Sequence, residues 1–182
     1  MKLKTCLVFI PILLAGLLIS EKNQLASHQE STGDSIVIQT IPEEPDYFEQ
    51  AVQIIKDHEG WHSKKHYPYV GYGHKVLKGE KLDHNISEEV ATELVRQDLR
   101  QKCAVFREYG KDSLLLGALA YNIGEYKLIN PDGSPRSTLV KKLRNGNRDI
   151  YHDYVSYKKA WGKTIPSIEK RRIKEFQTLF IK

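Results

Sequence analysis

Residues 58–74, which read HEGWHSKKHYPYVGYGH, constrain the fold of this chain more than any other stretch. Glu59 closes an amphipathic helical pattern, and the aromatic and glycine-rich run that follows cannot continue a helix. Helix, polar loop and tight hairpin therefore converge on one carboxylate. A carboxylate at such a junction is partly desolvated, which allows it to hold a proton for delivery to a leaving group. Glu59 is accordingly our first candidate for a catalytic acid.

The N-terminal part of the chain has the pattern of a targeting segment followed by a tether. Lys2 and Lys4 precede an apolar run at residues 7–19, which has the length of a signal-peptide core and is short for a membrane span. We predict a signal peptide or N-terminal anchor at residues 1–20 and a flexible linker at residues 21–45. The protein is therefore expected to be exported, periplasmic or extracellular in a bacterium, with weak membrane anchoring at most.

The remaining residues, 46–182, indicate a single α+β domain. A composition with 40% hydrophobic and 28% charged residues suits a compact domain with its own core. The predicted elements are, in order, a helix over residues 46–59, a hairpin over 67–76, and then only helices, from Ser87 onward and over 113–123, 137–146, 148–160 and 167–180. The helix at 113–123 is apolar almost all round, which is typical of a central, buried helix.

Five motifs, in order and at suitable spacing, resemble those of the phage-type lysozymes, the family of endolysins and autolysins. They are Glu59-Gly60, residues 70–74 (VGYGH), residues 120–124 (AYNIG), residues 137–139 (STL) and Arg171-Arg172. The resemblance covers about residues 46–182 and implies a lysozyme-like α+β fold with a cleft between a small β-lobe and an α-helical lobe. It also implies cleavage of the β-1,4 bond between N-acetylmuramic acid and N-acetylglucosamine in peptidoglycan, with Glu59 matching the catalytic acid.

The loop after Glu59 departs from the pattern of that family. Members usually carry an Asp in this loop and a Thr just before the Gly-x-Gly-His run. Here residues 60–69 contain no Asp or Glu, and Tyr69 stands at the Thr position. Direct hydrolysis of a glycoside normally needs a second group, which activates water or stabilises the oxocarbenium-like centre. The departure therefore leaves the second catalytic group open.

Three interpretations of the second group follow from the residues nearby. A loop histidine, His62 or His66, can act as the base, since an imidazole is able to take a proton near neutral pH; we name His66 as the candidate. Asp83 or Glu80 can instead reach the site from the next turn. In the third interpretation Glu59 acts alone, as in a lytic transglycosylase, where the 6-hydroxyl of the muramic acid attacks.

Four further residues are candidates for binding the glycan, because aromatic faces, ring N–H groups and side-chain amides suit sugars and their N-acetyl groups. They are Tyr69, Tyr72, His74 and Asn122. Each also has an ordinary structural interpretation, such as a hairpin position or a helix cap. Arg171 and Arg172 are interpreted as surface or salt-bridge residues, and Trp61 and Trp161 as core or rim residues.

Residues 58–62 also match H-E-x-x-H, which on a helix supplies two zinc ligands and the general base of a metallopeptidase. Gly60 would lie inside that helix at a cost of about 1 kcal/mol relative to Ala. The five ordered motifs outweigh this match, so no metal and no cofactor is expected. A third hypothesis is a non-catalytic peptidoglycan-binding protein on the same fold. The expected partner is peptidoglycan and not nucleic acid, and we expect a monomer.

Overall fold

The computed structural model describes residues 46–182, so the predicted targeting segment and linker lie outside the described residues. The helices are α1 (Tyr47–Glu59), α2 (Glu88–Val105), α3 (Ser113–Ile123), α4 (Thr138–Arg144), α5 (Tyr151–Val155) and α6 (Pro166–Leu179). The strands are β1 (Tyr69–Val70), β2 (His74–Lys75), β3 (Lys159–Ala160) and β4 (Lys163–Thr164), paired as two antiparallel hairpins. The predicted α+β class is confirmed. Within this part of the chain no helix is long and apolar enough to cross a bilayer.

Helix α1 begins and ends where its sequence indicates. The Asp46 carboxylate accepts hydrogen bonds from the backbone N–H groups of Phe48 at 3.0 Å and Glu49 at 3.1 Å, which caps the first turn. At the other end Gly60 takes a φ of 67°, a left-handed value that favours glycine and ends the helix. Glu59 is therefore the last residue of α1, at the edge of the helical lobe.

Helix α3 is the centre of the core, as its apolar sequence predicts. Residues 115–120 are all buried, and the helix packs against α1, α2 and α6. Each Leu that is fully removed from water in this way contributes about 1.5–3 kcal/mol to folding. Because α3 contacts both α1 and α6, it brings the end of α1 and the first half of α6 to its own C-terminal end, where Asn122 lies.

The small β-lobe is fastened to the helical lobe through its tight turn. In the hairpin Tyr69 lies opposite Lys75 and Val70 lies opposite His74. Gly71 approaches α2 so closely that a Cβ on it would stand 2.6 Å from the Cβ of Ala91. The Gly71 carbonyl also accepts a hydrogen bond from the backbone N–H of His62 at 2.7 Å. This single residue therefore ties the hairpin to α2 and draws the loop after α1 against the hairpin.

The prediction of helices alone after Ser87 is wrong at one place. The helix expected over residues 148–160 is the short α5, and the β3–β4 hairpin follows it. Trp161 and Gly162 take φ values of 49° and 76°, and two successive left-handed residues are what a type I′ hairpin turn requires. Trp161 is 95% exposed at this turn, so it is not a core residue.

Replacement of Gly71 by Ala is expected to loosen the β-lobe. Both this change and Gly146→Ala place a side chain at a left-handed φ, which costs about 1–2 kcal/mol. At Gly146 a Cβ would meet nothing within 4 Å, whereas at Gly71 it would overlap Ala91. Urea unfolding should therefore show a further loss of about 1–3 kcal/mol for Gly71→Ala. Equal losses in the two variants would contradict the close contact between hairpin and α2.

Candidate active site

Glu59 lies where α1, α3 and α6 meet. Its Oε1 atom accepts a hydrogen bond from Arg171 Nη1 at 2.7 Å and another from Asn122 Nδ2 at 3.3 Å. Among residues 46–182, no group forms a hydrogen bond with Oε2. The side chain is 21% exposed. One carboxylate oxygen is thus held in place, and the other is available for a proton or a ligand.

A groove, which we define as three adjoining pockets, extends from Glu59 in two directions. The central pocket has a volume of about 340 Å³ and is lined by Glu59, His62, Tyr69, Gly73, Tyr121 and Asn122. The outer pocket, of about 280 Å³, shares Tyr69, Gly73 and Tyr121 with it and continues to Asp98 and Lys102. The inner pocket, of about 120 Å³, shares Glu59 and Asn122 and reaches the start of α6 at Ser167. The central and outer pockets lie between the hairpin and the helices, and the inner pocket lies among α1, α3 and α6. A row of adjoining pockets suits an extended polymer more than a compact ligand.

The structure brings His62, and not His66, to the wall of the central pocket. His66 is exposed, and its Nδ1 accepts a hydrogen bond from the backbone N–H of Ser63 at 2.9 Å, which caps the 3₁₀ turn Lys64–His66. His62 Nδ1 is buried and has no hydrogen-bond partner among the described residues. The two rings lie edge to face with their centroids 5.0 Å apart. A catalytic role of His66 stays a prediction, while the position beside Glu59 belongs to His62.

The two carboxylates expected to reach the site from the next turn are engaged elsewhere. Glu80 Oε2 accepts hydrogen bonds from the backbone N–H of Leu77 at 2.7 Å and from His74 at 3.1 Å. Asp83 accepts one from the backbone N–H of Asn85 at 2.8 Å. Neither lines the central pocket, so within the described part of the chain Glu59 is the only carboxylate in its wall.

The four predicted glycan-binding residues have different surroundings. Tyr69 is 43% exposed and lines both the central and the outer pocket, so its ring is available to a sugar. Tyr72 lies outside the groove lining, because its hydroxyl donates to Glu88 at 3.1 Å and its ring packs edge-on against Trp61. Asn122 lines the groove but also contacts Glu59 directly, a role that the sequence did not indicate.

His74 lines the outer pocket but is only 7% exposed. Its Nδ1 lies 2.9 Å from Asp98 on α2, and its Nε2 lies 3.1 Å from Glu80 in the turn after β2. Burial by itself lowers the pKa of His74, but the hydrogen bonds with Asp98 and Glu80 outweigh burial and raise it overall. Since both ring nitrogens are occupied, His74 joins the hairpin to α2 and offers no free ring N–H to a sugar.

The helical geometry that H-E-x-x-H needs for zinc is not formed. Helix α1 ends at Glu59, so His58 lies on the helix and His62 lies beyond Gly60 in the loop. The two imidazoles line different pockets, the inner one and the central one. Within residues 46–182 there is no group of three or more His, Cys, Asp or Glu side chains arranged to hold a metal ion. Burial, followed by the charge of Arg171, lowers the pKa of His58.

Arg171 and Arg172 are the site residues whose burial was not predicted from the sequence. Both form salt bridges, as interpreted, but they are 3% and 0% exposed and are not surface residues. The periodicity of α6 contains the signal, because residues 168, 171, 172, 175 and 179 recur on one helical face. Charged residues at such positions must be paired inside the protein, since a buried unpaired charge is too costly. Arg171 thereby reaches Glu59.

A β-lobe beside a helical lobe, with a glutamate at the end of the first helix facing the groove between them, defines a lysozyme-like, glycan-cleaving protein. Residues 56–175 match the family model of phage lysozyme, and the chain belongs to that family. No curated protein is significantly similar to the chain. The match confirms the family that the five motifs predicted. The protein is therefore an enzyme of the glycoside hydrolase type that cleaves peptidoglycan.

The His74 contacts predict how the stability of the protein depends on pH. Because the pKa of His74 is raised by folding, its contribution is fully present below the pKa of an unfolded histidine and is lost as the pH rises through the folded value. Asp98→Asn should therefore lower the free energy of unfolding by about 1.5 kcal/mol at pH 5.5 and by less at pH 8.5. Urea unfolding at the two pH values measures this. A loss that is equal at both would show that the imidazole is not charged in the folded protein.

Proposed function

We propose that the protein cleaves the β-1,4 bond between N-acetylmuramic acid and N-acetylglucosamine, with Glu59 as the general acid. The observation that carries the proposal is that Glu59 is the only carboxylate of the described residues in the wall of the central pocket. Arg171 and Asn122 hold Oε1, and Oε2 gives its proton to the bridging oxygen. As the bond between C1 and this oxygen breaks, the glucosamine leaves with a 4-hydroxyl and positive charge develops at C1 of the muramic acid.

His62 is the proposed partner of Glu59 in hydrolysis. Water adds its oxygen to C1, and the proton that it loses passes to the His62 imidazole, which takes the place of the second carboxylate. The observation that supports His62 is that it lines the same pocket as Glu59. The product of this route is a muramic acid with a reducing end.

Lytic transglycosylation is the second candidate. It is favoured by the same observation, a single carboxylate in the wall of the central pocket. The muramic acid's own 6-hydroxyl attacks C1, and its proton returns to Glu59, which became a carboxylate in the first step. No second protein group is then needed. The product carries a 1,6-anhydro ring and no reducing end.

The groove would place the glycan with one lobe on each side. The exposed ring of Tyr69 can stack on a sugar at the junction of the central and outer pockets, beside the glutamate. The proposed substrate lies in the bacterial cell wall. Such a substrate fits the export predicted from residues 1–20, in the periplasm or outside the cell.

Glu59→Gln should abolish most of the wall-degrading activity. The amide keeps the shape and the contact with Arg171 but carries no transferable proton, and general acid catalysis is worth about 10²- to 10⁴-fold. Release of soluble fragments from purified sacculi measures the loss. Glu89→Gln is the matched control, because Glu89 is an exposed carboxylate at the start of α2 outside the groove lining. Full activity of Glu59→Gln would refute the proposal, and intact sacculi with the wild-type protein would favour a non-catalytic binder.

Variants of the two loop histidines distinguish hydrolysis from lytic transglycosylation. If His62 is the base, His62→Ala should lose about 10²-fold or more in activity. His66→Ala should lose much less, because His66 does not line the central pocket. Mass spectrometry of the products should then find reducing ends. Anhydro ends together with an active His62→Ala variant would establish transglycosylation, and a dominant loss in His66→Ala would restore His66 as the second group.

A further inference from the structure

Glu59 and four other side chains form a closed ring of hydrogen bonds. Glu59 Oε1 binds Arg171 Nη1, Arg171 Nε donates to Glu175 Oε1 at 2.8 Å, and Glu175 Oε2 accepts from Arg172 Nη1. Arg172 Nη2 donates to Asn122 Oδ1, and Asn122 Nδ2 returns to Glu59 Oε1. The ring joins α1, α3 and α6 through two carboxylates, two guanidinium groups and one amide. Its formal charge is zero.

Glu175 is the buried anion of this ring. It is 0% exposed and lies in the second half of α6, where it contacts Arg171, Arg172 and the Tyr154 hydroxyl at 2.9 Å. It has no place in the groove lining, so it does not reach a substrate. A fully buried carboxylate is tolerated only when it is paired, and here its two oxygens hold both arginines.

The two guanidinium groups have more donors than the ring has acceptors. Arg171 Nη2 and Arg172 Nε are buried and have no hydrogen-bond partner among the described residues. Burial by itself lowers the pKa of Arg171, but the carboxylates outweigh burial and raise it, Glu175 more than Glu59. Arg171 is therefore shared between two carboxylates, Glu175 at 2.8 Å and Glu59 at 2.7 Å. If the charge of Glu175 were removed, Glu59 would be the only carboxylate among the described residues that still accepts a hydrogen bond from Arg171.

We propose that Glu175 is a positioning residue for catalysis. It fixes Arg171 directly and Asn122 through Arg172, and its negative charge offsets part of the positive charge that Arg171 places beside Glu59. A cation 2.7 Å from a carboxylate favours its ionised form, which a general acid must avoid before the reaction. By binding the same guanidinium, Glu175 offsets part of the positive charge that Arg171 places beside Glu59 while Arg171 orients that side chain. The inference rests on the proposed role of Glu59 as the acid.

Other groups that face Glu59 must be separated from this effect. They are His58 on α1, His62 in the loop, Tyr69 on β1, Tyr121 and Asn122 on α3, and Arg171 on α6. Burial raises the pKa of Tyr121, so its hydroxyl stays neutral in the working range. Loss of a catalytic base by protonation acts on the acidic limb of the pH–activity profile. Loss of the acid's proton governs the alkaline limb, which is therefore the readout for Glu175.

The test compares the alkaline limb of kcat/KM on purified sacculi in three single variants. Glu175→Gln keeps the shape of the side chain, and its limb should move to lower pH by about one unit, at the small end of the effect of a nearby charge. Arg171→Gln should move the limb in the opposite direction. Tyr154→Phe is the matched control, because it removes a neutral contact with the same carboxylate and should leave the limb in place. A merely structural Glu175 would change the folded fraction and leave the limb unmoved.

A second variant covers the case in which Glu175→Gln does not fold. Loss of one member of a buried ion pair is strongly destabilising, whereas replacement of both members by apolar residues is often tolerated. Arg172→Met with Glu175→Met removes the pair together and leaves Arg171 with Glu59 alone. Its alkaline limb should also move to lower pH, but by less than in Glu175→Gln, because the positive charge of Arg172 is lost at the same time. A limb that coincides with that of the wild type in the folded variants overturns the inference. If Glu59→Gln is inactive in the same assay, the role of Glu59 stands independently of this result.

Discussion

The pairing of buried charges between α1, α3 and α6 is the constraint on which the rest of the structure depends. Arg172 and Glu175 are fully buried and pair with each other within α6, while Arg172 also donates to Asn122 on α3 and Arg171 donates to Glu59 on α1. Removal of one partner from such a pair costs about 3–5 kcal/mol, a large share of the roughly 5–15 kcal/mol that stabilises a typical protein. The arrangement around Glu59 therefore forms when the helical lobe folds, before any substrate binds.

The two walls of the groove are stabilised by different physics. The helical wall belongs to a core in which α3 is surrounded by apolar neighbours. The β-lobe has strands of two residues and buries little apolar surface. Besides the close packing of Gly71 on Ala91, polar contacts hold it in place: His74 between Asp98 and Glu80, and the Tyr121 hydroxyl on the Tyr72 carbonyl at 3.3 Å. Segments with few buried apolar contacts open at low free-energy cost. The width of the groove thus depends on a few hydrogen bonds, while the position of the acid depends on the core.

The sequence predicted those features that depend on periodicity or on a single local residue. The Asp46 cap, the end of α1 at Gly60 and the central α3 follow from such signals and are present in the structure. The β3–β4 hairpin was missed, because two-residue strands carry no alternation and Trp161 gives no sign of a left-handed turn. The contact of Arg171 with Glu59 spans 112 positions, and no local pattern encodes which distant carboxylate a buried arginine meets.

The short loop after Glu59 shows how one local choice decides which histidine is available. With no carboxylate in residues 60–69, the turn Lys64–His66 is capped by His66 itself, whose Nδ1 accepts the Ser63 N–H. Protonation of that atom would remove the acceptor and open the turn, so capping and base catalysis at Nδ1 exclude each other. The His62 side chain does not cap a turn, since the hairpin binds His62 through its backbone N–H. His62 lines the central pocket together with Glu59.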